Sequence, residues 1–190
     1  MRHKQCRGLW WSITRSYART SDFTAIQEAI KKQYGFDTWG EAVAQRLAAR
    51  SLAVGNLPSV QAHSNFKLER RAELPENRPG FRAYIEYYQS PADEETRFAV
   101  TVLQNQTVEQ AHEELLEELS TSMAPSLPRG EEKGIHVGHI SFAGHGTIQT
   151  AVRFVRGSLF IKVESVGTTQ ADVKELAEAI DKAMLSRLEG

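Results

Sequence analysis

The chain has 190 residues, of which 41% are hydrophobic and 25% charged, the balance of an ordinary globular protein soluble in water. No apolar run approaches the roughly 18–20 residues that a bilayer-spanning helix needs. A single cysteine, Cys6, excludes an intramolecular disulfide.

The formal net charge of −1 is unevenly spread. Residues 1–21 hold Arg2, Lys4, Arg7, Arg15 and Arg19 with no acid, so the remainder carries −6. Residues 1–20 read as a basic N-terminal arm. Its Arg-rich, acid-free composition also suits an organelle presequence, whereas the apolar stretch Leu9–Ile13 is too short for a secretory signal. The expected compartment is the cytoplasm, or an organelle if the arm is a presequence.

A helical pair is expected over residues 21–53. Ser21 and Asp22 can cap a helix with apolar positions Phe23, Ile26, Ile30 and Tyr34, and Gly35 stops it. A second helix starts at Thr38, where Thr38-x-x-Glu41 forms a capping box. Residues 54–64 read as a linker, and residues 65–190 as one α+β sandwich domain.

In that domain the period changes from 3.6 to 2. Phe66 and Leu68, then Phe81, Ala83, Ile85 and Tyr87, then Phe98, Val100 and Val102 alternate with polar neighbours. Such alternation predicts antiparallel strands covered on one face. Turns fall at Asn77–Gly80 and Ser90–Asp93. A helix follows, with a capping box at Thr107-x-x-Gln110 and a stripe of Val108, Ala111, Leu115, Leu116, Leu119 and Met123. The order then recurs. Strands are expected over Ile135–Ala143, Ile148–Val155 and Leu159–Val166, and a last helix capped by Thr169 carries Val173, Leu176, Ala177, Ile180, Met184 and Leu188 inward. The expected architecture is α+β, an antiparallel sheet of about six strands in βββα-βββα order covered by helices.

The run Val152-Arg153-Phe154-Val155-Arg156-Gly157-Ser158-Leu159-Phe160-Ile161-Lys162-Val163, followed by Asp172-Val173 and Leu176-Ala177-Glu178-Ala179-Ile180-Asp181, resembles the closing segment of uncharacterised bacterial α+β domains. The βββα-βββα order is similar to that of the PsbP/Mog1-like proteins. That resemblance implies an accessory or partner-binding role rather than catalysis. It rests on packing residues and carries over no functional side chain.

Several chemistries are weighed on the residues themselves. His136, His139 and His145 suggest a metal or a small hydrolytic site, but on one strand His136 and His139 point to opposite faces. A bulge near Gly138 could bring them together. Gly144-His145-Gly146 begins like a phosphate loop but leads into a strand, so a hairpin connection is expected. Glu109-x-x-His112 matches half of a di-iron helix motif and lacks the other half. Glu117 and Glu118 read as solvated charge. No G-x-S-x-G, H-E-x-x-H, C-x-x-C or Walker A pattern occurs, and no cofactor is expected.

The most suggestive feature is a set of aromatic and arginine residues assigned to the polar strand face: Arg82, Tyr84, Tyr88 and Arg97, with Arg153 beside them. Tyr and Arg combine contact area with a hydrogen-bonding tip, as recognition surfaces require. The reading is a non-catalytic interaction or accessory domain that binds a protein, a peptide or a small ligand through this face or through the basic arm; the alternative is a small metal-dependent or hydrolytic enzyme using the His136, His139 and His145 region. Packing of residues 1–53 over the same face is the competing expectation. Nucleic acid is not expected, given the acidic balance of residues 22–190.

Overall fold

The structure is a computed structural model that describes residues 20–34, 66–75, 79–121 and 127–188. The basic arm, the second helix of the pair and the linker lie outside the described residues. The first helix is present as α1 (Thr20–Tyr34).

Two three-strand meanders build the sheet. The first is β1 (Lys67–Leu74), β2 (Arg82–Gln89) and β3 (Arg97–Gln104); the second is β4 (Ile140–Ala143), β5 (Ala151–Arg156) and β6 (Leu159–Ser165). They join through their last strands, giving one antiparallel sheet in the order β1-β2-β3-β6-β5-β4. Helix α2 (Val108–Thr121) follows β3, and α3 (Lys174–Leu188) follows β6. The α+β class and the βββα-βββα order are as the sequence predicts.

The two later helices lie on opposite faces. On one face Val173, Leu176, Ala177, Ile180 and Met184 pack on Val100, Val102, Val152, Phe154, Ile161 and Val163. On the other, Ala111, Leu115, Leu116 and Leu119 of α2 meet Ile140, Phe142, Val155 and Phe160, and Ile30 of α1 joins them. A sheet covered on both sides needs apolar residues at odd and even strand positions. That is why β5 reads Val152, Phe154 and Val155 as buried in one short run.

Helix boundaries follow local chemistry. Thr107 Oγ1 accepts the Gln110 amide, as a capping box requires, but the Gln110 side chain reaches the amide of Gln106 rather than that of Thr107. The α3 cap differs from the expectation. Asp172, not Thr169, accepts the Lys174 amide at 2.8 Å, and Thr169 instead donates to Glu95. The expected strand from Ile135 shrinks to four residues. A short 3-10 turn at Glu131–Lys133 precedes it, and Gly138 bends the chain at φ +66°.

The two sheet edges are guarded against strand addition in different ways. The chain just before β4 folds along it, with Gly130 N bonding Ser141 O and Ala143 N bonding Pro128 O. At the other edge β1 carries exposed charges and a register shift around Glu69, two features that discourage strand addition.

Two glycines separate backbone strain from steric conflict. At Gly157, φ +58°, an added Cβ meets nothing within 4 Å, whereas at Gly138 it would stand 2.5 Å from the Val155 carbonyl oxygen. Gly157→Ala is expected to cost about 1 kcal/mol through its left-handed φ alone, and Gly138→Ala about 2–4 kcal/mol. Denaturant unfolding of the two variants checks the order.

Candidate functional site

Register divides the sequence-predicted binding residues between the two faces. Pairings of Tyr84 with Val102, Glu86 with Val100 and Tyr88 with Phe98 put these β2 residues on the α3 face. Tyr84 and Tyr88 are fully buried in its core. Arg97 pairs with Gln89, and Arg153 with Lys162, so both lie on the α2 face. Arg82 is exposed at the far end of the α3 face. The five residues therefore do not form one open surface, and β2 is buried on both faces: Ala83 as expected, and Tyr84, Glu86 and Tyr88, expected outside, as well.

The burial of this polar set has a physical cause at Glu86. Its carboxylate is 1% exposed, yet Tyr88 donates to it at 2.5 Å and Arg71, directly opposite on β1, approaches at 3.3 Å. Arg71 also lies 3.8 Å over the Tyr84 ring and holds Glu73 at 2.8 Å. A buried carboxylate is tolerated when paired and hydrogen-bonded in this way. Burial, and then the Glu86 hydrogen bond, push the Tyr88 hydroxyl well above its ordinary range, which keeps it a donor.

Arg153 is occupied. It donates to Glu118 of α2 at 2.9 Å, and Lys162 reaches the same carboxylate at 2.8 Å. Burial alone would raise the Glu118 carboxyl, but the two cations hold it below the usual carboxylate range. Glu118 is thus an inward clamp, not solvated charge. On the other face Arg156 grips Asp181 of α3 through two nitrogens, Nε at 2.8 Å and Nη2 at 2.5 Å.

The histidines do not converge. His139 precedes β4; its amide donates to Val155 O at 2.7 Å and its Nδ1 accepts the Gly157 amide at 3.3 Å. His145 follows β4 at the opposite end and is exposed, as is His136. Among the described residues no three His, Cys, Asp or Glu side chains are placed to hold a metal ion. The Gly144–Gly146 segment links β4 to β5, and Lys133 takes the carbonyls of His145 and Gly146. A phosphate loop would instead present amides.

Among the described residues no helix lies over the lower part of the α2 face, where Lys67, Arg70 and Arg97 are exposed. One register row is Arg70, Tyr87, Ala99 and Glu164; the next is Lys67, Gln89 and Arg97. The Arg70 guanidinium lies 4.4 Å over the half-buried Tyr87 ring. Arg97 meets Glu69 loosely, at 3.7 Å, with half its side chain exposed. Among the described residues no carboxylate pairs with Lys67 or Arg70. The shelf combines an aromatic ring, a strand surface and three cations. Arg97 belonged to the expected set; Arg70 and Tyr87 did not, because the alternation of β2 assigned Tyr87 to the core. Comparison of the chain with protein-family models, curated proteins and solved structures finds no match.

The two ends of the Arg71 network separate buried from exposed pairing. Glu86→Ala is expected to cost about 2–4 kcal/mol, because it strands the Tyr88 hydroxyl and one side of Arg71. Glu73→Ala, at the solvated end, is expected to cost less than about 1 kcal/mol. Chemical denaturation of both variants tests the difference.

Proposed function

We propose that this protein is a non-catalytic interaction domain that holds a protein partner on the shelf formed by Lys67, Arg70, Tyr87 and Arg97. The observation that carries the reading is the Arg70–Tyr87 stack standing beside cations that, among the described residues, have little carboxylate compensation. A partner segment that fits it presents Asp or Glu side chains together with an apolar group for the ring. Carboxylates then form charge-assisted hydrogen bonds to the guanidinium groups, and the tyrosine supplies desolvated contact area. A covered β4 edge and a charged, register-shifted β1 edge favour recognition through the face over strand addition. An accessory role of this kind also agrees with the resemblance of the βββα-βββα order to the PsbP/Mog1-like proteins.

The test is co-purification from native cells with the wild-type chain and with Arg70→Ala/Tyr87→Ala/Arg97→Ala. The triple variant is expected to lose the wild-type partner, with affinity lowered at least about tenfold and the unfolding temperature within a few degrees. Arg82→Ala, on the other face, is expected to retain it, and binding is expected to weaken as salt rises. Equal retention by the triple variant, or loss in Arg82→Ala, refutes the reading. Tyr84→Ala cannot serve as a binding variant, because removing that buried ring is expected to destabilise the core by about 3–5 kcal/mol.

A further inference from the structure

We infer that the partner held on the shelf is a second copy of this chain: the outer stripe of α2, Glu109, Glu113 and Glu117, docks on Lys67, Arg70 and Arg97 of the other copy, and the reverse, in a face-to-face two-fold dimer. The inference rests on the shelf reading and names its occupant.

The sheet places the two surfaces on opposite halves of one face. Helix α2 packs through Ala111, Leu115, Leu116 and Leu119 on Ile140, Phe142, Val155 and Phe160, which belong to β4, β5 and β6. The shelf lies on β1, β2 and β3, across the β3–β6 seam. A helix with its side chains is about 10 Å thick, so α2 raises its half of the face by that amount above the rows of Arg70 and Arg97. A two-fold axis lying between two such faces and crossing the seam turns each α2 over the other copy's shelf. The contact is then isologous: one patch supplies both the raised part and the low part, and both contacts close together.

Charge follows the same division. Glu109, Glu113 and Glu117 recur every four residues on the side of α2 turned away from its own sheet, and all three are exposed. Among the described residues no Lys or Arg pairs with Glu109 or Glu113. Glu118 is not part of this stripe; it faces inward, to Arg153 and Lys162. From Glu109 to Glu117 the stripe is about 12 Å long. Lys67 and Arg97 share one register row two strands apart, about 10 Å, and Arg70 stands on the next row. The carboxylate at the end of the Arg70 row, Glu164, is held by Lys162 at 2.9 Å. Tyr87 is half-buried, and Val166, whose amide bonds Arg97 O, is exposed beside it; the methylene stems of the glutamates cover both. A single exposed ion pair contributes little. Here the two-fold axis repeats the whole set, and matched potentials over an area also fix the register of the two copies.

Sedimentation equilibrium of the purified full chain is the experiment. The wild type is expected to be a dimer at micromolar concentration in about 50 mM salt and to dissociate towards monomer at about 0.5 M. Arg70→Glu/Arg97→Glu and Glu113→Lys/Glu117→Lys are each expected to weaken the dimer at least about tenfold. Mixed in equal amounts, the two are expected to dimerise again, because the mixed pair matches acid to base at both contacts. Arg82→Glu, on the other sheet face, is expected to dimerise as the wild type does. A monomeric wild type, a reversed variant that stays dimeric, a mixture that stays monomeric, or loss of the dimer in Arg82→Glu overturns the proposal. Should a reversed variant not fold, zero-length carbodiimide coupling of isotope-labelled with unlabelled wild type decides. An amide between Lys67 of one copy and Glu109, Glu113 or Glu117 of the other supports the dimer, and its absence overturns it. A monomeric wild type whose triple shelf variant still loses a native partner removes only the second copy and leaves the shelf standing.

Discussion

The pairing of β3 with β6 is the constraint on which the rest of the structure depends. Seven residue pairs, from Phe98 with Ser165 to Gln104 with Leu159, join strands about sixty residues apart in the chain. Each meander alone is a three-strand ribbon with two exposed edges. Joined, they make one surface on which Val100 and Val102 continue into Val163 and Ile161 beneath α3. The same seam carries Leu103 into Phe160 beneath α2. Neither helix has a full floor without it. The seam also closes a long loop, so its entropy must be recovered by contacts that form only after closure.

The two helices are secured by different electrostatics. Arg156 and Asp181 make a bidentate pair, a geometry that fixes orientation as well as distance. Glu118 instead shares one carboxylate between Arg153 and Lys162, with Glu164 at 2.9 Å from the same lysine. Such pairs add little net stability over apolar contacts, because their desolvation is costly. What they fix is position. Arg153 and Lys162 occupy one register row, so Glu118 can satisfy both only when α2 lies at one height along the strands. That height leaves the rows of Arg70 and Lys67 beyond the helix.

Much of the fold was legible in the sequence because turns, caps and apolar stripes are local signals. The α2 and α3 stripes, the Arg156-Gly157-Ser158 turn and the βββα-βββα succession along the chain all depend on residues close in the chain. The site was legible only in part, and the reason is visible at β2. Alternation there separates Phe81, Ala83, Ile85 and Tyr87 from Arg82, Tyr84, Glu86 and Tyr88, and ordinary hydropathy sends the second set outward. A buried Glu86 is accounted for only when Arg71 stands opposite it, and that partner is fixed by register across a bulge at Glu69. Register is not written in either strand alone. His112 was closer to being readable, since residues 111, 112, 115, 116 and 119 form one helical stripe, and a histidine within it is an inward group.

Register also explains why the open surface is cationic. On the α2 face the rows change character in sequence. Leu103, Phe160, Val155 and Ile140 come first, then Thr101, Lys162 and Arg153, then the rows of Arg70 and Arg97. The middle row is neutralised by Glu118, which α2 brings down from above, and by Glu164 alongside. No helix of the described residues brings a carboxylate to the lower rows; Glu69 reaches only Arg97, and loosely. Arg70 instead rests on Tyr87, its guanidinium 4.4 Å from the ring centroid, a cation–π contact that occupies no carboxylate. The polarity of the shelf is thus a consequence of where α2 stops.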